Sequence, residues 1–236
     1  MRLDKYLAQT TGLSRKDVKR QIHAGLVNIN NHPEKNSGRH VTDEDQVTLD
    51  GNPLSRPRPC YLMLHKPDGY VCSNDDPTHV TALTLIDFPS PERLIIAGRL
   101  DLDTTGLLLI TDDGQWSHRI TSPRHKLPKR YRVFLDEPLR EDAENLIQQG
   151  ILLRNEAKRT KPASLERITD TEVLLTLTEG RYHQVKRMFA ALNNRVIALH
   201  REQIGDITLD DSLASGEYRD LTDEEIASVF KEKKQS

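Results

Sequence analysis

Residues 94–110 read LIIAGRLDLDTTGLLLI, which is a polar loop between two apolar runs. Short apolar runs bounded by turn residues are typical of buried strands. The sequence therefore predicts a strand at 94–97, a loop at 98–106 and a second strand at 107–110. A loop fixed between buried strands can hold reactive groups in position, and this one presents two carboxylates, Asp101 and Asp103. We interpret the loop as a candidate active site.

The loop by itself is compatible with several chemistries. Residues 101–105 have the Asp-x-Asp-x-Thr spacing of phosphatases whose first Asp attacks phosphorus beside a magnesium ion. A glycosidase with paired carboxylates is a second possibility, and a turn whose side chains satisfy backbone donors is a third. Gly98 and Arg99 interrupt the apolar strand that usually precedes the phosphatase motif. The loop residues alone leave these alternatives open.

Length and composition predict a polar globular protein. The chain has 236 residues, with 34 Lys or Arg and 36 Asp or Glu, so its formal net charge is −2. This length predicts one or two domains. No apolar run approaches the roughly 20 residues that cross a bilayer, and the N-terminus does not have the pattern of a signal peptide, so we expect a cytoplasmic protein without a membrane partner. Cys60 and Cys72 do not form a Cys-x-x-Cys pair, which predicts buried thiols and neither zinc nor disulfides.

Basic residues are concentrated in three stretches. Residues 1–39 contain eight bases and three acids, and the windows 114–135 and 180–201 contain six and five bases without one acid. Ordinary surfaces mix the two signs, whereas phosphate-binding surfaces exclude carboxylates. The charge pattern therefore predicts that the three stretches contact one polyanion, a nucleic acid.

The first basic stretch predicts a small helical module. Ser14 is a good N-cap and Gly25 a good residue after a C-cap, so the segment between them is predicted to be a helix, preceded by a helix at 3–9. One arc of this helix carries the bases Arg15, Lys16, Lys19, Arg20 and His23. Val18 and Ile22 lie on the opposite side. We expect one face to contact phosphates and the other to enter a core, with strands following at 27–30 and 46–49.

Residues 2–7 (RLDKYL), Ser14-Arg15 and 22–30 resemble the alpha-L RNA-binding motif, the ribosomal-protein S-four-like domain. The resemblance implies a compact module that docks on RNA. Asn31 stands where Gly is usual, and Asn tolerates the left-handed turn. Three prolines and two arginines at 53–59 predict a linker. We therefore expect an RNA-binding domain with its linker at 1–59 and a second domain at 60–236.

The second domain resembles the pseudouridine synthases. Residues 98–108 look like the central motif of that family, and KPDG at 66–69, KRYRV at 129–133 and EGRYHQVKRM at 179–188 look like its companion motifs. Residues 112–123 resemble in particular the RsuA type, the 16S ribosomal RNA pseudouridine synthases. The implied fold class is α+β, with a small helix-rich RNA-binding domain followed by a mixed-sheet catalytic domain. The implied function is site-specific isomerisation of uridine to pseudouridine in small-subunit (16S) ribosomal RNA.

The resemblance implies roles for two residues, and base flipping suggests a role for a third. Asp101 would be the nucleophile, which attacks the sugar or the ring or promotes a glycal route, and Tyr131 would stack on the target base with its hydroxyl near carbon 5. Arg99 would contact the RNA backbone or occupy the space that the flipped-out nucleotide leaves. Lys66 and Arg181 are interpreted as structural or phosphate contacts.

Helix geometry adds a fourth candidate, Lys186. In a helix at about 183–193, four apolar residues form a stripe, and Lys186 lies at its flank, where it can reach a cleft. Arg187 is predicted to point farther towards solvent. A charge so placed needs an acid nearby, and we expect that acid to be Asp101, whose ionised form it would stabilise.

The implied reaction involves no redox change and no transfer between molecules, so we expect neither cofactor nor metal. The expected partner of a monomeric protein is ribosomal RNA, free or within a partly assembled small subunit. A noncatalytic RNA-binding factor of ribosome assembly would use the same basic surfaces and is the alternative from another class. The acid-rich residues 217–236, with a helix near 223–230, are predicted to be a solvated terminus.

Overall fold

The computed structural model describes residues 1–55, 58–88, 90–122, 124–125 and 127–231. By its internal contacts the chain divides into two compact units, Met1–Pro59 and Cys60–Ser236. Arg56 and Pro57 of the expected linker and Lys126 of the second basic stretch lie outside the described residues. Within the described part, no helix combines the length and the apolar character needed to span a membrane.

The first unit combines two helices with a small antiparallel sheet of order β2-β1-β3-β4. Its elements are α1 (Leu3–Thr11), α2 (Arg15–His23), β1 (Val27–Ile29), β2 (His32–Pro33), β3 (Val47–Leu49) and β4 (Asn52–Pro53). The predicted cap is confirmed, because the Ser14 side chain accepts a hydrogen bond from the Asp17 amide. Val18 and Ile22 are buried in the core. Asn31 has the left-handed φ of 65° that its turn requires.

The second unit is built on one mixed sheet of order β13-β5-β7-β11-β8-β10-β9, with β6 beside β7 and β12 beside β11. Its strands are β5 (Tyr61–Lys66), β6 (Ile95–Ile96), β7 (Thr104–Thr111), β8 (Lys129–Leu135), β9 (Ser164–Arg167), β10 (Glu172–Leu177), β11 (Val196–Ile204), β12 (Ile207–Thr208) and β13 (Tyr218–Asp220). Its helices are α3 (Gly114–Thr121), α4 (Ala143–Gln149), α5 (Gln184–Ala191) and α6 (Asp223–Ser228). Of the described strand pairs, β7–β11 is parallel and the others are antiparallel. The predicted α+β class with a mixed sheet is confirmed.

The strand after the polar loop begins earlier than predicted. β7 starts at Thr104, because Thr104 and Thr105 already pair with Leu199 and His200 of β11. β-branched residues fit such a strand well. The loop is therefore shorter than predicted, and the two hydroxyl residues belong to the strand rather than to the loop.

The helix predicted near 223–230 is present as α6, but the segment 217–231 also packs against the second unit and is not only a solvated terminus. Tyr218–Asp220 forms the edge strand β13 on β5, and Val229 is buried in the core. The Trp116 indole nitrogen donates to the Ile226 carbonyl oxygen at 3.1 Å. The acids of this segment are used locally, since Glu225 closes a capping box at the start of α6. Residues 232–236 lie outside the described residues.

Candidate active site

A buried lysine holds the loop that carries Asp101. Lys66, at the end of β5, donates through Nζ to the carbonyl oxygens of Pro67, Leu102 and Thr104 at 2.9, 3.0 and 2.8 Å. Burial lowers the pKa of this amine. The three carbonyls satisfy all three of its donors, which makes the buried charge tolerable. Of the two roles expected for Lys66, the structure gives it the structural one.

A buried arginine holds the start of the same loop. Arg201 of β11 is 1% exposed, and its guanidinium donates to the carbonyl oxygens of Leu107 and Gly98 at 2.9 and 2.8 Å. Gly106 lies opposite it on β7, where a Cβ would overlap the Arg201 backbone. The sequence contained a signal for this residue, because strand alternation places Arg201 on the same face as the buried Leu199.

The carboxylate of Asp101 lies near two basic side chains of the α5 region. Lys186 Nζ is 3.9 Å from Asp101 Oδ2, and His183 Nε2 is 3.5 Å from Asp101 Oδ1. Lys186 donates its hydrogen bond to Asp103 Oδ1, at 2.5 Å. The predicted ion pair of Lys186 with Asp101 is therefore present, but Asp103 is the nearer acid and takes the hydrogen bond of the lysine. Residues 102–103 form a turn, which brings the second carboxylate to the lysine.

The hydrogen bond from Lys186 lowers the pKa of Asp103. Asp103 therefore stays ionised and shares the lysine charge with Asp101. The side chain of Asp101 is 30% exposed and that of Asp103 is 62% exposed, so Asp101 is the more enclosed of the two carboxylates. The arrangement places one ionised, solvent-facing acid and one more sheltered acid around a single cation.

His183 is a site residue that the sequence analysis missed. It directly precedes α5 with a left-handed φ of 47°, a conformation that a residue with a Cβ adopts at a cost of roughly 1–2 kcal/mol. Its ring stacks on Tyr182, with the ring centroids 3.8 Å apart. Tyr182 is 76% exposed. Such strain persists only where the surroundings hold it, and it is concentrated at functional sites.

Asp101 lines a small cavity of about 70 Å³. Tyr131, Thr104 and Lys186 also line it. Tyr131 is half-buried and packs against two apolar clusters, as its alternation with Val133 predicts. Thr104 Oγ1 is buried, and no group within the described ranges hydrogen-bonds to it. A buried hydroxyl at a cavity wall is a group that a bound polar ligand can satisfy.

The structure places the remaining basic candidates of this region differently. Arg99 is exposed and lines the cavity of Asp101. The prediction that Arg187 points farther into solvent than Lys186 is wrong, because the side chain of Arg187 is 28% exposed and that of Lys186 is 27% exposed. Arg187 pairs with Glu156 at 2.7 Å. Arg181 also pairs with Glu156, a contact within the protein that fits the structural one of its two expected roles.

The windows 114–135 and 180–201 contain no acid in the sequence, but the folded chain brings carboxylates from other segments next to their arginines. Carboxylates brought in by the fold pair with Arg130 (Glu202), Arg132 (Glu172 and Glu202), Arg181 (Glu156 and Glu179) and Arg195 (Asp136). These guanidinium groups are partly neutralised. The basic surface of the second unit is therefore smaller than the sequence predicted.

The basic face of α2 is open to solvent. Its exposed members are Arg15, Lys16, Lys19, Arg20 and His23. Arg20 pairs with Asp17 at 2.6 Å, with side chains 70% and 42% exposed. Exposed pairs contribute only about 0–1 kcal/mol, so this contact does not prevent the face from binding phosphates.

The two thiols have raised pKa values. Burial, followed by nearby acids, raises the pKa of Cys60 to about 12, and burial raises that of Cys72. Cys72 accepts a hydrogen bond from the Leu100 amide at 3.3 Å, which ties it to the loop. Among the described residues, no group of three or more His, Cys, Asp or Glu could hold a metal ion.

Comparison with known proteins identifies the family. Residues 60–191 match the family described as RNA pseudouridylate synthase, and residues 1–47 match the S4 domain. The chain belongs to the RNA pseudouridylate synthase family. The resemblance seen in the sequence motifs is thereby confirmed, and the synthase is an isomerase with an RNA substrate. This membership favours the catalytic interpretation over the noncatalytic one, and it sets aside the phosphatase and glycosidase alternatives.

Relatives match this synthase over nearly its whole length. Proteins named ribosomal small subunit pseudouridine synthase A are 56% identical in Salmonella typhimurium, 57% in Yersinia pestis and 53% in Vibrio cholerae. These alignments cover 97%, 97% and 98% of the chain and 100%, 98% and 100% of the relatives. A crystal structure of a pseudouridylate synthase is 49% identical, with a TM-score of 0.71, and the match covers 97% of this chain and 99% of that one.

Proposed function

We propose that the protein isomerises one uridine to pseudouridine in small-subunit (16S) ribosomal RNA, as a monomer in the cytoplasm. The proposal is carried by one observation, the sheltered Asp101 carboxylate that faces a cavity between Tyr131 and Lys186. The full-length similarity to enzymes named for the ribosomal small subunit supports this choice of RNA.

The reaction breaks the bond between ribose and N1 of uracil and forms a bond between the same ribose carbon and carbon 5. The proton on carbon 5 leaves and N1 gains one, so no atom enters or leaves overall. Asp101 is the nucleophile of this exchange. Tyr131 stacks on the detached ring and places its hydroxyl near carbon 5.

The other residues prepare the site for this chemistry. Lys186 places its positive charge 3.9 Å from the Asp101 carboxylate. Arg99 contacts the RNA backbone or fills the space of the flipped-out nucleotide, because extruding a base costs a few kcal/mol. Lys66 and Arg201 fix the loop through its carbonyls, so Asp101 is in position before RNA binds.

The proposal is tested with purified protein on transcribed small-subunit RNA and on partly assembled small-subunit particles. Pseudouridine is mapped at nucleotide resolution after each reaction. We expect one uridine to be converted in at least one of these substrates. Conversion of large-subunit RNA only, or of many uridines without preference, would contradict the proposed substrate.

Replacing Lys186 and Asp103 separately tests how the lysine charge is shared. We expect Lys186→Met to lower pseudouridine formation by about 10²-fold, as loss of a charge-stabilising group at a reaction centre does. Asp103→Asn is expected to change it by less than about fivefold, because exposed pairs are worth about 1 kcal/mol or less. Rates are measured under single turnover. A larger loss in Asp103→Asn than in Lys186→Met would identify Asp103 as the reacting acid.

The pH dependence of the same pair has a definite sign. Hydrogen bonding from Lys186 lowers the pKa of Asp103, so the pair contributes stability above the ordinary Asp pKa. That contribution is lost as pH falls through the lowered pKa. Asp103→Asn should therefore lower the free energy of unfolding relative to the wild-type chain at pH 7. At strongly acidic pH the difference between the two proteins should be smaller. Urea denaturation at both pH values measures these free energies.

The exposed face of α2 is expected to bind RNA phosphates. Replacing Lys16, Lys19 and Arg20 together by glutamine should weaken RNA binding and flatten its dependence on salt. Each lost contact should change the log–log slope by somewhat under one, about 0.7 to 0.9. Affinities are measured at several salt concentrations, with the exposed Lys158 of the second unit changed to glutamine as a control for the loss of a charge outside α2. An unchanged slope in the triple variant would contradict this assignment.

A further inference from the structure

A second cavity, of about 400 Å³, adjoins the cavity of Asp101. Both cavities have Arg99, Tyr131 and residues 179–180 in their walls. Other residues line the second cavity but not the first, among them Ile96, Leu127, Thr121, Ser122 and Lys129. Apolar walls with a few polar groups and a cation are suited to a nucleotide, which has an apolar base face and an anionic phosphate.

Strand alternation brings Lys129 to this cavity. Residues 129, 131, 133 and 135 of β8 lie on one face of the sheet. Val133 and Leu135 are buried in the apolar core on that face, whereas Lys129 and Tyr131 are only half-buried. The apolar core therefore covers this face of β8 at Val133 and Leu135, whereas at Lys129 and Tyr131 the face forms part of the wall of the second cavity.

The amine of Lys129 is poorly satisfied within the protein. It donates to the Leu127 carbonyl oxygen at 3.3 Å, the single acceptor that the described residues place within hydrogen-bond distance. An ammonium group has three donors. Burial, followed by the charge of Arg201, lowers the pKa of Lys129 to about 8. An anion beside this amine would complete its hydrogen bonds and favour its charged form.

The second cavity has an excess of positive charge. Lys129, Arg99 and Arg201 line it together with one carboxylate, that of Glu179. This carboxylate is already engaged, since it accepts a hydrogen bond from Gln184 Nε2 at 2.8 Å and pairs with an arginine. The charge balance suits a phosphate group better than a neutral or cationic ligand.

We propose that the second cavity binds the nucleotide next to the target uridine, with its phosphate on Lys129 and its base against Ile96 and Leu127. The inference rests on the proposed function, because the neighbour reaches this cavity only when the uridine lies at Asp101. The shared walls allow consecutive nucleotides of one strand to occupy both cavities. Lys129 thereby positions and selects the RNA strand and takes no part in bond exchange.

The test combines Lys129→Met with a single uncharged methylphosphonate linkage, moved one position at a time along a short RNA that contains the target uridine. Binding is measured in the Asp101→Asn background, so that RNA is not consumed. Lys129→Met should weaken binding to all-phosphate RNA by about tenfold. It should also lower the log–log salt slope by about 0.7. When Lys129 is present, a methylphosphonate beside the target uridine should also weaken RNA binding by about tenfold. The same linkage should not weaken RNA binding further in the Lys129→Met variant.

Two further variants separate a direct contact from effects on folding or net charge. Lys129→Arg keeps the charge and should retain both most of the affinity and the response to that linkage. Lys158→Met removes an exposed lysine of the same unit and should leave the response unchanged. The phosphate contact would be overturned if the loss of binding free energy in Lys129→Met simply added to the loss caused by the methylphosphonate at every position. It would also be overturned if Lys158→Met deviated from such additivity as much as Lys129→Met does.

The two proposals can fail separately. Wild-type protein that converts no uridine in any small-subunit substrate would overturn the proposed function and, with it, the place of the second nucleotide beside a target uridine. Normal isomerisation without coupling at any linkage would overturn the second nucleotide site alone.

Discussion

Replacement of Asp101 by asparagine is expected to lower pseudouridine formation by at least about 10³-fold. Asparagine has nearly the same shape as aspartate but has no charge, so it cannot act as the nucleophile beside Lys186. RNA affinity should stay within about twofold of wild type, because the exposed basic face of α2 is unchanged. The measurement is single-turnover conversion of uridine together with equilibrium binding of the same RNA.

Asp103→Asn is the matched control for Asp101→Asn, since it removes an identical charge two residues away. It should retain an activity within about fivefold of the wild-type rate. Asp101→Asn protein that isomerises uridine within about tenfold of the wild-type rate would exclude Asp101 as the reacting group. Loss of both activity and RNA binding would instead indicate a damaged fold, which thermal unfolding would reveal.

Lys66→Met is expected to destabilise the catalytic unit by about 3 kcal/mol and to impair catalysis as well. Methionine fills a similar volume but leaves the carbonyls of Pro67, Leu102 and Thr104 without their shared donor. A buried acceptor that loses its partner costs about 1–3 kcal/mol, and relaxation of the loop recovers part of the sum. The same relaxation moves Asp101, so kcat should fall more than KM rises.

Urea denaturation and steady-state kinetics of Lys66→Met measure the two effects. Lys158→Met, which changes an exposed lysine, serves as the control and should unfold like wild type. A Lys66→Met protein with wild-type stability and wild-type kcat would show that the buried amine does not hold the loop.

Much of the candidate site could be predicted because its residues follow local rules. The cap at Ser14 and the spacing of Val18 and Ile22 were sufficient to orient α2. Alternation placed Tyr131 correctly, and the helical stripe placed Lys186 at the flank of α5. These features depend on residues close together in the chain, where strand and helix periods determine direction.

The parts that could not be predicted depend on contacts between distant segments. Local spacing does not tell which carboxylate of the loop Lys186 reaches, because the turn at 102–103 decides it. The acid-free windows suggested a larger basic surface, but Glu156 and Glu202 reach them from other parts of the fold. In a one-dimensional charge count, the buried Arg201 cannot be distinguished from a surface base.

The central claim is that Asp101 of this protein converts one specific uridine of small-subunit ribosomal RNA. The most direct measurement maps pseudouridine at nucleotide resolution in cells that lack the protein, and in the same cells supplied with wild-type or Asp101→Asn protein. We predict that one pseudouridine of the small-subunit RNA disappears, returns with the wild-type protein and stays absent with Asp101→Asn. An unchanged map in the deficient cells, or restoration by Asp101→Asn, would contradict the account.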